Sequence, residues 1–153
     1  MALREGANER AWRFAAATTG LVVGLDQITK QIAATSIARD DSVNVFFLLD
    51  ITNIRNKGIA FGALKGAGLV VLGLTIVALV ALLVYFALNP MRRMLWLPVG
   101  MIAGGALGNL ADRARIGAVI DFIDPTFWPA FNVADAAVVL GILGLLYVVE
   151  GED

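Results

Sequence analysis

Long apolar runs separated by shorter polar segments dominate this chain and predict helices that cross a membrane. The clearest run covers residues 67–88, carries no charge and ends at Asn89 and Pro90. Proline disfavours helical backbone in the residue before it, so a helix ends there. A bilayer core needs about 20 mostly apolar residues as helix, and three further runs qualify: about residues 12–37, 94–113 and 131–149. We therefore predict an α-helical membrane protein, a four-helix transmembrane bundle in which residues 1–153 form one integral membrane domain.

The segments that join these helices differ in length, and the longer ones have room for structure. Residues 89–93 alone separate the second helix from the third. About residues 38–66 separate the first two helices, and the run VNVFFLLDITNIRN within them is rich in β-branched and aromatic residues. This pattern favours short strands, so we expect a small β-rich extracytoplasmic insert. A second structured loop, residues 113–130, carries Phe127 and Trp128, which suit the membrane interface.

Basic residues favour one orientation of the bundle. Arg4, Arg10 and Arg13 near the N-terminus are expected on the same side as Arg92 and Arg93, and cytoplasmic loops carry an excess of Lys and Arg. The opposite loops also carry Lys and Arg, so a simple count does not decide the orientation. On balance, we expect both termini on the cytoplasmic side.

Composition agrees with a membrane protein and excludes several kinds of chemistry. Hydrophobic residues make up 59% of the chain, more than a chain this short buries in a core of its own. It has no cysteine and no histidine, which excludes disulfides, Cys/His metal sites, thiol nucleophiles and imidazole triads. The formal net charge of -1 gives no signal for nucleic acid. We expect no metal, no cofactor and no nucleic-acid partner.

Polar side chains near the helix ends are expected to gather at one membrane face, because successive helices alternate in direction. Charges in or beside membrane helices are costly and by default indicate function. Asp26 and Lys30 are four residues apart and can form a structural ion pair, with contact to a lipid headgroup or substrate as the alternative. A pair between Asp112 and Arg113 that ties a helix end to its loop is the simpler interpretation there. The whole set comprises Asp26, Lys30, Asn109, Asp112, Arg113, Asp121, Asn132 and Asp135.

Asp121 and Asp135 differ from the other carboxylates because each lies in an apolar run with no basic residue within four positions. Two carboxyl groups that meet in such surroundings share a proton, so one can act as base and the other as acid at neutral pH. That pairing suits peptide-bond hydrolysis by an activated water. The alternative is two unrelated aspartates, with Asn132 and Asp135 forming a helix cap. A Ser-Lys dyad of Ser36 or Ser42 with Lys30 is a further alternative, which no recognisable motif supports.

Five short motifs carry a family resemblance. They occur in the order DQITK from Asp26, NKGIAFG from Asn56, GGALGNLADR from Gly104, VIDF from Val119 and FNVAD from Phe131. Together, on a chain with four predicted helices, they closely resemble bacterial lipoprotein signal peptidase, also called signal peptidase II. The resemblance covers about residues 12–149.

The resemblance implies an inner-membrane aspartyl endopeptidase whose active site lies near the extracytoplasmic face. Its substrates are prolipoproteins that already carry a diacylglyceryl-modified cysteine, and it cuts on the N-terminal side of that cysteine. The catalytic pair matches Asp121 and Asp135. Support residues match Asp26, Lys30, Asn56, Asn109, Asp112, Arg113 and Asn132, and a flap matches Gly58, Ala60, Phe61 and Gly62.

Two other classes of function remain open on the sequence. A small proton-coupled transporter also needs membrane carboxylates, but such proteins keep them near the bilayer midplane, often at a repeat interface. This chain has no internal repeat, and its carboxylates are expected at one face. A non-enzymatic membrane scaffold is the third possibility. We expect membrane lipids and lipidated prolipoproteins as partners, and a monomer would suffice for one carboxylate pair.

Overall fold

A computed structural model describes residues 2–57 and 67–151 of the chain. Helices and strands alternate in groups: one helix, two strands, two helices, one strand and a final helix. The helices are α1 (Ala2–Ser36), α2 (Ala67–Leu88), α3 (Trp96–Ile116) and α4 (Val133–Glu150). The strands are β1 (Ser42–Phe46), β2 (Leu49–Asn56) and β3 (Val119–Pro125). The described protein is therefore mostly helical with one small sheet.

The four predicted helices are present, and the bounds of three of these helices are corrected. The bounds of α2 agree with the prediction, because an uncharged run and a proline define both of its ends. Helix α1 begins at Ala2 rather than near residue 12, since its first turns are polar but still helical. Helices α3 and α4 each begin two residues later than predicted, and α3 continues through Arg115 to Ile116.

Helix α3 is the central element of the bundle, and its glycines allow close packing. A Cβ on Gly104 would lie 2.6 Å from the Cβ of Val22 on α1, and one on Gly100 would lie 2.6 Å from the Cβ of Thr18. Such small residues let helix backbones approach closely. The described parts of α2 and α4 are long and apolar enough to cross a membrane, and most of their side chains are not buried inside the protein. Their apolar surfaces are therefore available to lipid.

The sheet is antiparallel in the order β1-β2-β3. Strands β1 and β2 confirm the strands predicted between the first two helices. Strand β3 comes from the loop after α3, which the sequence predicts only as structured. Gly117 ends α3 with φ of 68°, a left-handed conformation that glycine adopts without strain, and the chain then turns into β3. Ile123 pairs with Phe131, so the start of α4 lies beside the middle of β3.

Candidate active site

Asp121 lies on β3, with its side chain 3% exposed. Its two oxygens accept hydrogen bonds from different asparagines: Asn56 Nδ2 donates to Oδ2 at 2.8 Å, and Asn132 Nδ2 donates to Oδ1 at 2.8 Å. Asn56 reaches it because β2 and β3 pair, with Ile54 opposite Asp121. The carboxyl group is therefore held on both sides by neutral donors.

Asp135 lies in the first turn of α4 and is half-buried. Its Oδ2 accepts from the backbone N–H of Asn132 at 3.2 Å, while the Asn132 side-chain oxygen accepts from the Asp135 N–H at 2.9 Å. This reciprocal pair is a capping box, so the predicted helix cap is confirmed. The second oxygen, Oδ1, accepts from Asn109 Nδ2 at 2.7 Å. Asp135 thus caps a helix and also faces Asn109 on α3.

Asn132 joins the two aspartates. Its side chain is fully buried, and it contacts Asp121 through Nδ2 and Asp135 through Oδ1. The bridge between Ile123 and Phe131 explains this position, because it holds the residue before Asn132 against β3. The two aspartates therefore lie close together, and Asp135 is a helix-cap residue as well as a neighbour of Asp121.

The electrostatic environment separates Asp121 from an ordinary surface carboxylate. The pKa of Asp121 is raised to about 6, chiefly by burial and also by the nearby charge of Asp135. The hydrogen bonds from Asn56 and Asn132 and the charge of Lys30 oppose this rise. Neutral donors stabilise the carboxylate without adding a positive charge. Asp121 therefore titrates close to neutral pH, where proton transfer is most useful.

A buried ionic cluster of α1 and α3 lies behind the aspartates. Lys30 Nζ lies 2.8 Å from Asp26 Oδ2 and 2.9 Å from Asp112 Oδ2, and none of the three side chains is more than 1% exposed. The predicted pair of Asp26 and Lys30 is thus confirmed. Lys30 also donates to Asn109 Oδ1 at 2.9 Å. Its contacts in the described structure are with these three side chains, and none of them is with Ser36 or Ser42.

The predicted pair of Asp112 and Arg113 is wrong. Asp112 is inside the bundle and accepts from Lys30, while its other oxygen lies 3.1 Å from Arg115. Arg113, the next residue on α3, points to a different side, and its Nη1 donates to the Asn109 carbonyl at 3.3 Å. One step along a helix turns a side chain by about 100°, which separates these two partners.

An apolar groove leads to the half-buried aspartate. Its cavity measures about 430 Å³ and is lined by α2, α3 and α4. Side chains such as Leu79, Ile102 and Ile142 form most of its wall, and polar groups line its other part. These polar groups belong to Asn109, Arg113 and Asp135, together with Thr75, whose hydroxyl donates to the Val71 carbonyl of its own helix. The groove could therefore hold an apolar segment whose polar end lies beside a carboxylate.

The structure brings together most of the residues singled out from the sequence. Asn56, Asn109 and Asn132 contact the aspartates, and the ionic cluster adjoins them through Asn109. Sequence reasoning missed Gln27 and Arg115, which bond to this cluster. Their spacing could have indicated these contacts, because Gln27 directly follows Asp26 and Arg115 lies three residues after Asp112 on the same helix. The proposed flap residues Gly58, Ala60, Phe61 and Gly62 lie outside the described residues.

The fold and the site define the class: an α-helical membrane protein with two linked carboxyl groups at an apolar groove. The family model described as signal peptidase (SPase) II matches residues 18–149. The lipoprotein signal peptidase of Moorella thermoacetica is 40% identical over 129 residues, 83% of this chain and 86% of that protein. The one from Syntrophus aciditrophicus is 43% identical over 142 residues, 84% of this chain and 87% of that protein. A solved bacterial membrane enzyme, 34% identical, matches with a TM-score of 0.77 over 88% of this chain and 91% of that chain.

The chain belongs to the signal peptidase II family. It is therefore an integral membrane enzyme of the peptidase class, as the motifs predicted. Membership of a peptidase family decides against the transporter and scaffold alternatives.

Proposed function

We propose that this chain removes the signal peptide from prolipoproteins by cutting on the N-terminal side of a diacylglyceryl-modified cysteine. Asp121 and Asp135 form the catalytic pair. The observation that carries this proposal is the contact of Asn132 with both aspartates, one of which lines an apolar groove. The names of the similar proteins, lipoprotein signal peptidases, support the substrate class.

The chemistry follows from two carboxyl groups that share one proton. The ionised carboxylate takes a proton from water, and the oxygen of that water attacks the carbonyl carbon of the scissile peptide. The protonated carboxyl then gives its proton to the leaving amine as the C–N bond breaks. Arg113 and Asn109 line the cavity beside Asp135. They supply donors to the substrate backbone and to the oxygen that becomes negative in the transition state.

The four helices span the inner membrane with both termini in the cytoplasm, as a single domain formed by residues 1–153. Two aromatic pairs lie at the end of the bundle that we assign to the cytoplasmic interface. The ring centres of Trp12 and Phe86 are 4.6 Å apart, and those of Phe14 and Trp96 are 5.1 Å apart. At the other end, Phe127 and Trp128 are 77% and 65% exposed. Aromatic side chains collect at both interfaces of a bilayer. The catalytic pair then lies near the extracytoplasmic face.

The apolar groove holds the lipid-embedded part of the substrate. Aliphatic side chains form most of its wall, and Asn109, Arg113 and Asp135 carry the charged and amide groups that line it. A substrate whose apolar segment lies in this groove therefore places the peptide bonds next to that segment beside the carboxyl groups. Gly58, Ala60, Phe61 and Gly62 are proposed to form a flap over it.

A gel-shift assay with purified protein and a diacylglyceryl-modified prolipoprotein tests the proposal. We expect Asp121→Asn and Asp135→Asn each to abolish cleavage, because each removes one proton donor or acceptor of the pair. Asp124→Asn is the matched control on the same strand and should cleave like the unaltered protein. Cleavage that persists in either of the first two variants would reject the catalytic pair.

A further inference from the structure

Two hydrogen bonds connect the buried ionic cluster to the backbone of the catalytic pair. Asp26 Oδ1 accepts from the N–H of Ala134 at 2.9 Å, and Ala134 directly precedes Asp135. Asp112 Oδ2 accepts from the N–H of Ile120 at 3.2 Å, and Ile120 directly precedes Asp121. Each acid of the cluster therefore fixes the backbone immediately before one aspartate.

The position of these two acids depends on what holds their carboxylates. Lys30 holds one oxygen of each, at 2.8 and 2.9 Å. Gln27 approaches from another direction: its Nε2 lies 3.0 Å from Asp26 Oδ2 and 3.2 Å from Asp112 Oδ1. The same amide nitrogen donates to the Gly108 carbonyl at 3.2 Å. Gln27 is thus a neutral bridge between both acids and helix α3.

Arg115 determines the orientation of that bridge. Its Nη2 donates to Gln27 Oε1 at 2.6 Å and to Asp112 Oδ1 at 3.1 Å. Because a guanidinium has donors and no acceptor, it can bond only the oxygen of the Gln27 amide, so the nitrogen must face the acids. Arg115 is 58% exposed, whereas Asp112 is fully buried. A residue at the surface therefore controls a contact inside the bundle.

We propose that Gln27 and Arg115 are positioning residues for the catalytic pair, acting through Asp112 and Asp26 on the backbone before Asp121 and Asp135. This inference rests on the proposed function. Neither residue lines the apolar groove, so neither contacts substrate there. Their loss should lower kcat through misplacement of the carboxyl groups and leave KM nearly unchanged.

The test is steady-state cleavage of a diacylglyceryl-modified prolipoprotein by Arg115→Gln, Arg115→Lys and Gln27→Leu. We expect kcat to fall roughly 10-fold in Arg115→Gln and in Gln27→Leu, the effect of one hydrogen bond to a charged group. Arg115→Lys should retain more activity than Arg115→Gln, because a lysine can replace one of the two bonds. Combining Gln27→Leu with Arg115→Gln should cost little more than either change alone, since both break the same connection.

Two substitutions of the same kind serve as controls. Arg39→Gln removes an exposed arginine whose one ion pair in the described structure is with neighbouring Asp40 at 3.7 Å, and Gln31→Leu removes an exposed glutamine one turn after Gln27. Both should keep the original kcat. Thermal unfolding in detergent identifies which variants fold. The positioning role is then judged from Arg115→Gln, from Gln27→Leu or from both, according to which of them fold.

A kcat equal to that of the controls in either folded variant would overturn the inference. A roughly 10-fold rise in KM with unchanged kcat would also overturn the inference, because it would indicate a role in substrate binding. The two proposals fail in different ways. If Asp121→Asn and Asp135→Asn are inactive while these variants resemble their controls, only the positioning role is wrong; if the aspartate variants cleave, the proposed function itself fails.

Discussion

Replacing Asn56 by leucine should move the pH dependence of cleavage to higher pH. Asn56 Nδ2 donates to Asp121 Oδ2 at 2.8 Å, and this bond lowers the pKa of Asp121 against the effect of burial, which leaves that pKa at about 6. A hydrogen bond to a charged group contributes about 1.5–3 kcal/mol. One pKa unit corresponds to about 1.4 kcal/mol, so losing the bond should raise the pKa of Asp121 by roughly 1–2 units. Leucine is chosen because its shape leaves little space for a water molecule to replace the amide.

The measurement is kcat/KM for a lipidated prolipoprotein between acid and mildly alkaline pH. In the unaltered protein, the limb of the profile that reports Asp121 should have its midpoint near the pKa of about 6. In Asn56→Leu this midpoint should move upward, because the neutral acid is favoured over the carboxylate. Asn44→Leu is the matched control, since Asn44 donates to Asp50 at 2.6 Å on an exposed strand. A midpoint that stays in place while kcat/KM falls equally at every pH would refute the reasoning.

Three further changes test the bundle and the groove. Lys30→Met should lower the free energy of unfolding by about 3–5 kcal/mol, because it leaves buried Asp26 without a cation and Asp112 with Arg115 alone; equal stability in denaturant unfolding would contradict this. Gly108→Ala should cost about 1–3 kcal/mol by overpacking, whereas Gly24→Ala, with open space around it, should not lower the unfolding temperature. Leu79→Trp should fill the groove and raise KM several-fold with little change in unfolding temperature. Leu74→Trp, on an exposed position of the same helix, should leave KM unchanged, and equal KM values in both variants would argue against substrate in the groove.

The apolar helices could be predicted because their signal is local. Helix α2 is an uncharged run that ends at a proline, and its bounds agree with the structure. The first turns of α1 gave no such signal, because a polar helix outside the apolar run has no hydrophobic pattern to mark it. Strand β3 was also missed, because it is only seven residues long and its apolar and polar residues do not alternate regularly. Its pairing with β2 depends on residues far away in the chain.

The members of the candidate site could be named from motifs, but their partners could not. Asp112 has Arg113 as its sequence neighbour, yet its ionic partners are Lys30 on another helix and Arg115. Helix packing decides this choice, because it places α1 against α3 and turns Arg113 away. Gln27 was missed for the same reason: its bridging role exists only when α1 and α3 bring two acids together. Local spacing predicts which side chains share a face, and packing decides which faces meet.

The distribution of charge around Asp121 and Asp135 explains how the proposed catalytic pair can work without histidine. A cation in direct contact with Asp121 would favour its carboxylate and lower its pKa. Instead, asparagine amides make the described side-chain contacts to the two aspartates, through Asn56, Asn109 and Asn132. The buried cation Lys30 lies behind Asn109, balanced by two acids. Its positive charge therefore strengthens the Asn109 amide as a donor without contacting Asp121. That charge lowers the pKa of Asp121 less than burial raises it, so the pKa stays raised at about 6.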